Sequence, residues 1–311
     1  MIQSTREKST IVIIDNKEVK LTNLDKIFWQ KEGYTKRDLI EYYQRISPFI
    51  LPYLADRPES LHRFPNGVRG KGFFQKNVES PPPYVKTVKI PAETENRVIN
   101  YIVCQDLATL VYLANLGCIE LNPWLSRTVS QHSPDYCVLD LDPVEIGFGA
   151  VVQTALVIHH LLEKASISHY VKTSGATGLH IYIPLKSGYT YEQSRLFAQT
   201  IASIVHQKTS SFTSLERLPE KRVSKVYLDY LQNVLGKTLS APYCLRPRDR
   251  APVSTPLLWE EINGKLDPPD FNIKTIFKRL GKIGDIWKPL RQEGVDLKVA
   301  LDRLQKVSQK F

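Results

Sequence analysis

The chain is predicted to fold as α/β (α+β): mixed/antiparallel central sheets flanked by helices. Three observations carry this. Strand-like and helix-like patterns alternate between residues 136 and 230. The stretch 136–143, Tyr-Cys-Val-Leu-Asp-Leu-Asp-Pro, alternates with the period of two that marks a strand. The segments 147–165 and 190–207 carry apolar residues at helical spacing instead.

Composition narrows the class. The chain has 311 residues, enough for one large domain or two modules with a sizeable core. Hydrophobic residues make up 42% and charged residues 24%, which is ordinary for a globular protein. No apolar run approaches the roughly 18 residues of a membrane span, and the N-terminus lacks the apolar core of a signal peptide. A cytoplasmic location is expected. Cys104, Cys118, Cys137 and Cys244 form no Cys-x-x-Cys pair, so neither a structural zinc site nor a disulfide framework is expected. They read as small buried core residues. Lys and Arg total 42 against 32 acids, a net charge of +10. That excess suits a polyanion, either nucleic acid or a membrane surface.

The elements follow in order. After a frayed start, 10–14 reads as a strand with a turn at Asp15-Asn16. A polar loop over 21–29 runs into a short helical turn. Thr35 is a good N-cap for a helix over 36–54, bent at Pro48 and Pro52. Strands are expected at 57–64 and 72–76 around the turn Pro65-Asn66-Gly67, and a β pair at 85–90 and 98–104 beyond a stiff proline connector. Gln105-Asp106 starts a helix over 107–115, and 119–121 is a short strand. Polar residues 126–135 link the two halves. Pro143 is expected to stop the 136–143 strand, because it has no N–H to donate. Strand, turn and strand follow over 169–185. Residues 209–225 are irregular, 226–230 is a strand containing an acid, and 245–252 is basic and broken by proline. Helices close the chain at 274–280 and 297–307.

Four stretches carry chemistry. On the 136–143 strand, Asp140 and Asp142 face the same way together with Val138, while Cys137, Leu139 and Leu141 face a core. Two neighbouring carboxylates repel each other unless a cation lies between them, and a divalent metal serves. A solvated turn fits the same pattern. The second stretch, Lys172-Thr-Ser-Gly-Ala-Thr-Gly-Leu-His180, places two glycines and two hydroxyls in a tight turn. Such a turn can offer backbone N–H groups to a phosphate, and His180 could donate to a phosphate oxygen. A plain hairpin is the alternative. In the third, Asp229 interrupts the apolar and aromatic strand Val226–Tyr230 and needs a charged partner, a metal or a basic side chain. In the fourth, Arg246, Arg248 and Arg250 alternate, and their forks suit phosphate oxygens. Three acids, a phosphate-type turn, a histidine and arginines on a basic protein meet the needs of nucleotidyl transfer by two metal ions.

These motifs carry a resemblance. Leu21-Thr-Asn-Leu-Asp-Lys26, His62-Arg-Phe-Pro-Asn-Gly67, Gly72-Phe-Phe-Gln-Lys76, Leu139-Asp-Leu-Asp-Pro143, Thr173–His180, Tyr227–Asn233 and Ala241–Arg246 occur in one order along the chain. The sequence resembles the polymerase domain of bacterial DNA ligase D, in the archaeo-eukaryotic primase superfamily, from about residue 10 to about residue 300. The resemblance implies a primase-like fold of a single primase-polymerase domain over 1–311. Within it, 1–130 would be a DNA-end-binding module and 131–300 a catalytic RRM-like module. It implies a template-directed polymerase that fills gaps and extends 3′ ends in non-homologous end joining. Two Mn²⁺ or Mg²⁺ ions and a nucleoside triphosphate, preferably a ribonucleotide, would be used.

Residue by residue, Asp140, Asp142 and Asp229 resemble the metal triad. Ser174, Gly175, Thr177, His180, Gln232, Lys237, Arg246 and Asn122 fall at the nucleotide pocket. Asn23, Lys26 and Lys36 resemble a pocket for the 5′-phosphate of a DNA end, with His62 a further basic contact. Phe73 and Phe74 resemble an aromatic pair that stacks on the template, and Arg222 lies where the template strand approaches. Two positions depart: many relatives have His where Asn122 stands, and often Lys where Thr177 stands. Each departure removes a cation from the triphosphate side.

Partners implied are DNA ends, gapped DNA with a 5′-phosphate, a DNA ligase and a Ku-type end-binding protein, in a bacterial, nucleoid-associated setting. No ligase lysine motif or phosphoesterase histidine cluster is present, so the polymerase stands alone or is cut from a longer chain. Two other readings remain: a non-catalytic DNA-end bridging module, and a nucleotide-sugar enzyme of the Asp-x-Asp type.

Overall fold

The computed structural model describes residues 9–92, 97–292, 294–309 and 311. The first eight residues, read above as a frayed start, lie outside that range. The N-terminal half runs β1 (Ser9–Ile14), β2 (Lys17–Thr22), β3 (Ile27–Trp29), β4 (Tyr34–Thr35), α1 (Lys36–Leu54), β5 (Glu59–Arg63), β6 (Phe73–Gln75), β7 (Thr87–Ala92), β8 (Arg97–Ile102), α2 (Leu107–Asn115) and β9 (Cys118–Pro123). The rest runs β10 (Tyr136–Val144), α3 (Phe148–Lys164), β11 (Tyr170–Thr173), β12 (Leu179–Pro184), α4 (Tyr191–Thr209), β13 (Thr213–Ser214), β14 (Lys225–Asp229), β15 (Pro256–Leu257), α5 (Ile276–Ile283) and α6 (Leu297–Ser308).

The local signals hold in most places. Asp15 and Asn16 both adopt positive φ in the turn between β1 and β2, as short polar residues tolerate. Thr35 caps α1 through a reciprocal box with Asp38, and Asp106 caps α2. Two expectations fail. Residues 27–29 form a strand rather than a helical turn, because Ile27 and Trp29 pair with Thr35 and Tyr34. β10 also runs through Pro143 to Val144. Pro143 is in register with Val226, and a proline is tolerated where its missing N–H is not asked to donate.

The central sheet has six strands in the order β13-β14-β10-β12-β11-β15, antiparallel except for the β13–β14 pair. Its two faces join different cores. Cys137, Leu139 and Leu141 pack with Val151, Ala155 and Ile158 of α3 and Phe197 and Ile201 of α4. Tyr136, Val138 and Tyr182 point the other way, into a core built mainly from α1, α2 and β9. Tyr243, Ile276, Leu280 and Trp287 from the C-terminal part join that second core. A separate sheet, β6-β5-β9, stands beside it with β6 at its edge. All four cysteines are free and buried. Among the described residues no helix is long and apolar enough to cross a membrane.

Candidate active site

The site lies where the covering core ends along β10. Asp140 pairs with Asp229 on one side and His180 on the other, and His180 pairs with Lys172. One row across four strands therefore reads Lys172, His180, Asp140, Asp229, all on the face away from α3. Asp142 stands two residues further along the same face, in register with Tyr227. The sheet thus brings together the three acids and the histidine singled out from sequence.

The acids repel one another. Burial raises the pKa of Asp140 well above the carboxylate range, and Asp142 and Asp229 push it further. Burial and Asp229 raise that of Asp142. Lys172 and Arg246 counter this at Asp140 only in part. Oδ1 of Asp140 is buried and makes no hydrogen bond. It lies 3.2 Å from Nε2 of His180 without hydrogen-bond alignment. The three carboxylates do not all close to within 4.8 Å of one another. An orphaned carboxylate oxygen amid clustered, desolvated oxygen donors fits a hard divalent cation such as Mg²⁺ or Mn²⁺.

Side chains behind the acids hold them in place. Asp229 accepts from the Leu231 N–H at 2.8 Å and from Nε2 of Gln232 at 2.9 Å. Gln232, expected at the nucleotide, is thereby a brace of Asp229. Asn233 is fully buried. Its amide donates to the Val138 carbonyl at 2.7 Å and accepts from the Val138 N–H at 2.8 Å. It stands in for a strand partner where β14 has already ended.

The glycine turn is tight for stated reasons. Oγ of Ser174 accepts from the N–H groups of Ala176 and Gly178, each at 3.0 Å. Those two amides are therefore committed within the turn. Gly178 lies against the strand of acids, where a Cβ would fall 2.2 Å from the Leu141 carbonyl oxygen. Gly175 has φ +72°, and a Cβ there would fall 2.6 Å from Cγ of Arg246. Arg246 reaches the turn from the other side, donating through Nη1 to the Ser174 carbonyl at 2.7 Å and to Oγ of Ser240 at 2.9 Å.

Two residues had no role assigned from sequence. Lys172 is fully buried and donates to Oγ of Ser254. Burial and the nearby Arg246 push its pKa down to about 7, although Asp140 draws it up. Burial, and then Lys172 and Arg246, drive the pKa of His180 well below its ordinary value. His180 is therefore a neutral imidazole, and its buried Nδ1 makes no hydrogen bond. Glu120 on β9 is the other. Its Oε2 lies 3.1 Å from Nε of Arg246 and 3.3 Å from Nδ1 of His62. Burial raises its pKa, but His62, Arg246 and Asn122 more than offset that and leave it below the usual range. The signal that marked Asp229, an acid inside an apolar strand, is present at Cys-Ile-Glu120-Leu as well.

The remaining predicted residues fall around this centre. Asn122 is buried two residues beyond Glu120 and donates to the Ser60 carbonyl at 3.2 Å. Arg217, Arg222, Tyr227, Asp229 and Lys237 line a cleft of about 410 Å³, and the guanidinium of Arg222 lies 3.8 Å over the Tyr227 ring. Thr177 lines a second cleft, of about 480 Å³, with Arg69 and Arg248. His62 stacks on Phe74 at 4.0 Å and 13°, so its contacts join Glu120 to the aromatic pair. Phe73 and Phe74 are exposed on the edge strand β6, with Arg63 over the Phe73 ring. Asn23, at φ +53°, opens a short loop closed by the Lys26 N–H on its carbonyl. Nζ of Lys26 bonds the Pro65 carbonyl and Oδ1 of Asn66, each at 2.7 Å. Lys36 is buried and donates to the Thr22 carbonyl at 2.7 Å. These three form a cluster of their own at the start of α1.

The chain as a whole is similar to known proteins. Residues 35–287 match the family described as LigD, primase-polymerase domain. The chain is 36% identical over 271 residues to the bifunctional non-homologous end joining protein LigD of Bacillus subtilis, covering 86% of this chain and 43% of that protein. It is 30% identical over 278 residues to the multifunctional non-homologous end joining protein LigD of Mycolicibacterium smegmatis, covering 88% and 36%. It thus spans less than half the length of these relatives. The structure of the polymerase domain from Mycobacterium tuberculosis ligase D in complex with DNA superimposes with a TM-score of 0.83 at 27% identity, over 89% of this chain and 99% of that one. On a family match that reaches from α1 past the last of the site residues, the chain belongs to the LigD primase-polymerase domain family, a family of nucleotidyltransferases.

Proposed function

We propose that this chain is a template-directed polymerase that fills gaps and extends 3′ ends at DNA double-strand breaks during non-homologous end joining, with ribonucleotides preferred. The observation that carries the reading is the row Lys172–His180–Asp140–Asp229 with Asp142 beside it. The charge of its desolvated acids is countered only in part by Lys172, Arg246 and Arg222, and a neutral imidazole borders them. Bound Mn²⁺ or Mg²⁺, two ions in this reading, would supply that charge, lowering the pKa of a primer 3′-OH and holding the triphosphate. Asp140, Asp142 and Asp229 would hold the ions, and Gln232 keeps Asp229 oriented. Arg246, locked by Ser174 and Glu120, is pre-organised for a developing phosphate charge. His180 donates from a neutral ring rather than as a cation.

The halves divide the work. Residues 1–130 carry the Asn23–Lys26–Lys36 cluster for a 5′-phosphate and the Phe73–Phe74 platform, on which a template base stacks without its sequence being read. Residues 131–300 carry the chemistry. A ligase and a Ku-type protein are the partners in this reading, and the cytoplasm, on the nucleoid, is its location. The test is extension of a primer across a gapped duplex with ribo- or deoxyribonucleoside triphosphates and Mn²⁺ or Mg²⁺. The Asp140→Ala, Asp142→Ala double variant is expected to bind the DNA and incorporate nothing. Incorporation at the native rate by that variant would overturn the reading, and a native protein that binds but never extends would be a bridging module.

A further inference from the structure

A second cluster of metal-ligating side chains lies on the opposite side of the central sheet. α3 packs Val151, Ala155, Ile158 and Leu162 against the face of Leu139 and Leu141, away from the acids. Near its C-terminal end His159 and Glu163 stand four residues apart, on one side of the helix. His169, just ahead of β11, meets them. One ligand atom from each of the three lies within 4.8 Å of the other two, and among the described residues no other such trio of His, Cys, Asp or Glu does so.

The hydrogen bonds show how the trio is prepared. Nδ1 of His169 lies 2.7 Å from the Ile167 carbonyl oxygen. A carbonyl only accepts, so Nδ1 carries the hydrogen and Nε2 keeps its lone pair. Nε2 lies 2.7 Å from Nδ1 of His159, which is therefore the donor. A backbone carbonyl that fixes the tautomer from behind is the support metal-bound histidines use. Burial holds both rings neutral, lowering the pKa of His169 to about 4 and that of His159 below its ordinary value. Trp259 walls the cluster, stacked on His159 at 4.1 Å and 11°, with its indole N–H donating to the His169 carbonyl at 3.3 Å.

We propose that His159, Glu163 and His169 bind one transition-metal ion of the Zn²⁺ type, separate from the ions of the polymerase reading and independent of it. Two imidazoles and a carboxylate suit Zn²⁺ and its neighbours, whereas Mg²⁺ keeps to oxygen. Tetrahedral Zn–N bonds place two nitrogens about 3.3 Å apart, so the rings separate by a few tenths of an ångström. His159, only half-buried, takes up that shift. Its proton moves from Nδ1 to its own Nε2 through solvent, so both rings stay neutral and no net proton is released. The ion clamps the end of α3 to the entrance of β11, the strand that carries Lys172.

The test uses chelator-treated protein without a histidine tag, carrying Asp140→Asn and Asp142→Asn so that the acidic site does not compete. Zn²⁺ or Co²⁺ alone is titrated in, and binding is read by calorimetry, by the visible spectrum of Co²⁺ and by the melting temperature. One equivalent is expected, with visible Co²⁺ bands and a raised Tm. His159→Gln or Glu163→Gln in the same background is expected to weaken binding about tenfold or more. Glu163 is exposed, so its variant keeps the fold, checked by circular dichroism. Equal affinity in both variants, or no binding by the background protein, would overturn the proposal and leave the cluster a packed hydrogen bond.

Discussion

Asp140, Asp142 and Asp229 are held in place against their own repulsion, and that has a measurable cost. A carboxyl whose folded pKa is raised favours folding below its unfolded value and loses that contribution as pH rises through the folded value. The raised groups are Asp140 and Asp142, so at neutral pH charge on those two opposes folding. Asp142→Asn is expected to raise the Tm of the metal-free protein, and Mn²⁺ is expected to raise the Tm of the native protein more than that of the variant. Equal Mn²⁺-induced shifts in both would exclude Asp142 as a ligand. Gln232 acts one step back. Gln232→Ala frees the Asp229 carboxylate and is expected to cost about 10–100-fold in metal affinity or extension rate, with the Tm nearly unchanged. At this scale the sequence was informative where chemistry clashed with pattern: Asp140, Asp142 and Asp229 are acids in strands that are otherwise apolar and aromatic. Glu120 carried the same mark. Lys172 and His180 were visible as the two arms of one hairpin, but nothing local shows that this hairpin pairs with the strand of Asp140.

The elements were legible where a period or a cap repeats. α1 and α2 begin on Thr35 and Asp106 and end where their apolar spacing ends. Residues 27–29 were misread because a three-residue strand has no period, and its pairing with Tyr34-Thr35 is tertiary information. Pro143 was misread because the rule against proline concerns a donated N–H, and only the neighbouring strand determines whether one is needed. The glycine turn makes a prediction at this scale. In Gly178→Ala the new methyl meets the Leu141 carbonyl, and the backbone must move for about 1–3 kcal/mol of lost stability. Because that carbonyl belongs to the strand of Asp140 and Asp142, extension should fall more than the denaturation midpoint implies. Native extension by a destabilised Gly178→Ala would separate the turn from the acids.

For the whole molecule, the net charge of +10 predicts DNA binding that weakens steeply with salt. Within that general attraction, the Asn23–Lys26–Lys36 cluster should read one group. Lys26→Ala is expected to reduce the salt slope by about one and to abolish the preference for a gap with a 5′-phosphate over one with a 5′-hydroxyl. An undiminished preference, measured by fluorescence anisotropy on the two gapped duplexes, would remove Lys26 from that role. The sequence by itself determined the alternation that makes β10 a strand, the side-by-side placement of Asp140 and Asp142, the caps of the helices and the basic surplus, because each depends on neighbours a few residues away. The tertiary structure alone decided that Asp229 stands opposite Asp140, that Glu120 links Arg246 to His62, and that Gln232 braces an acid. Those depend on strand order and register, which residues far apart in the chain settle together when the two cores close on the two faces of one sheet.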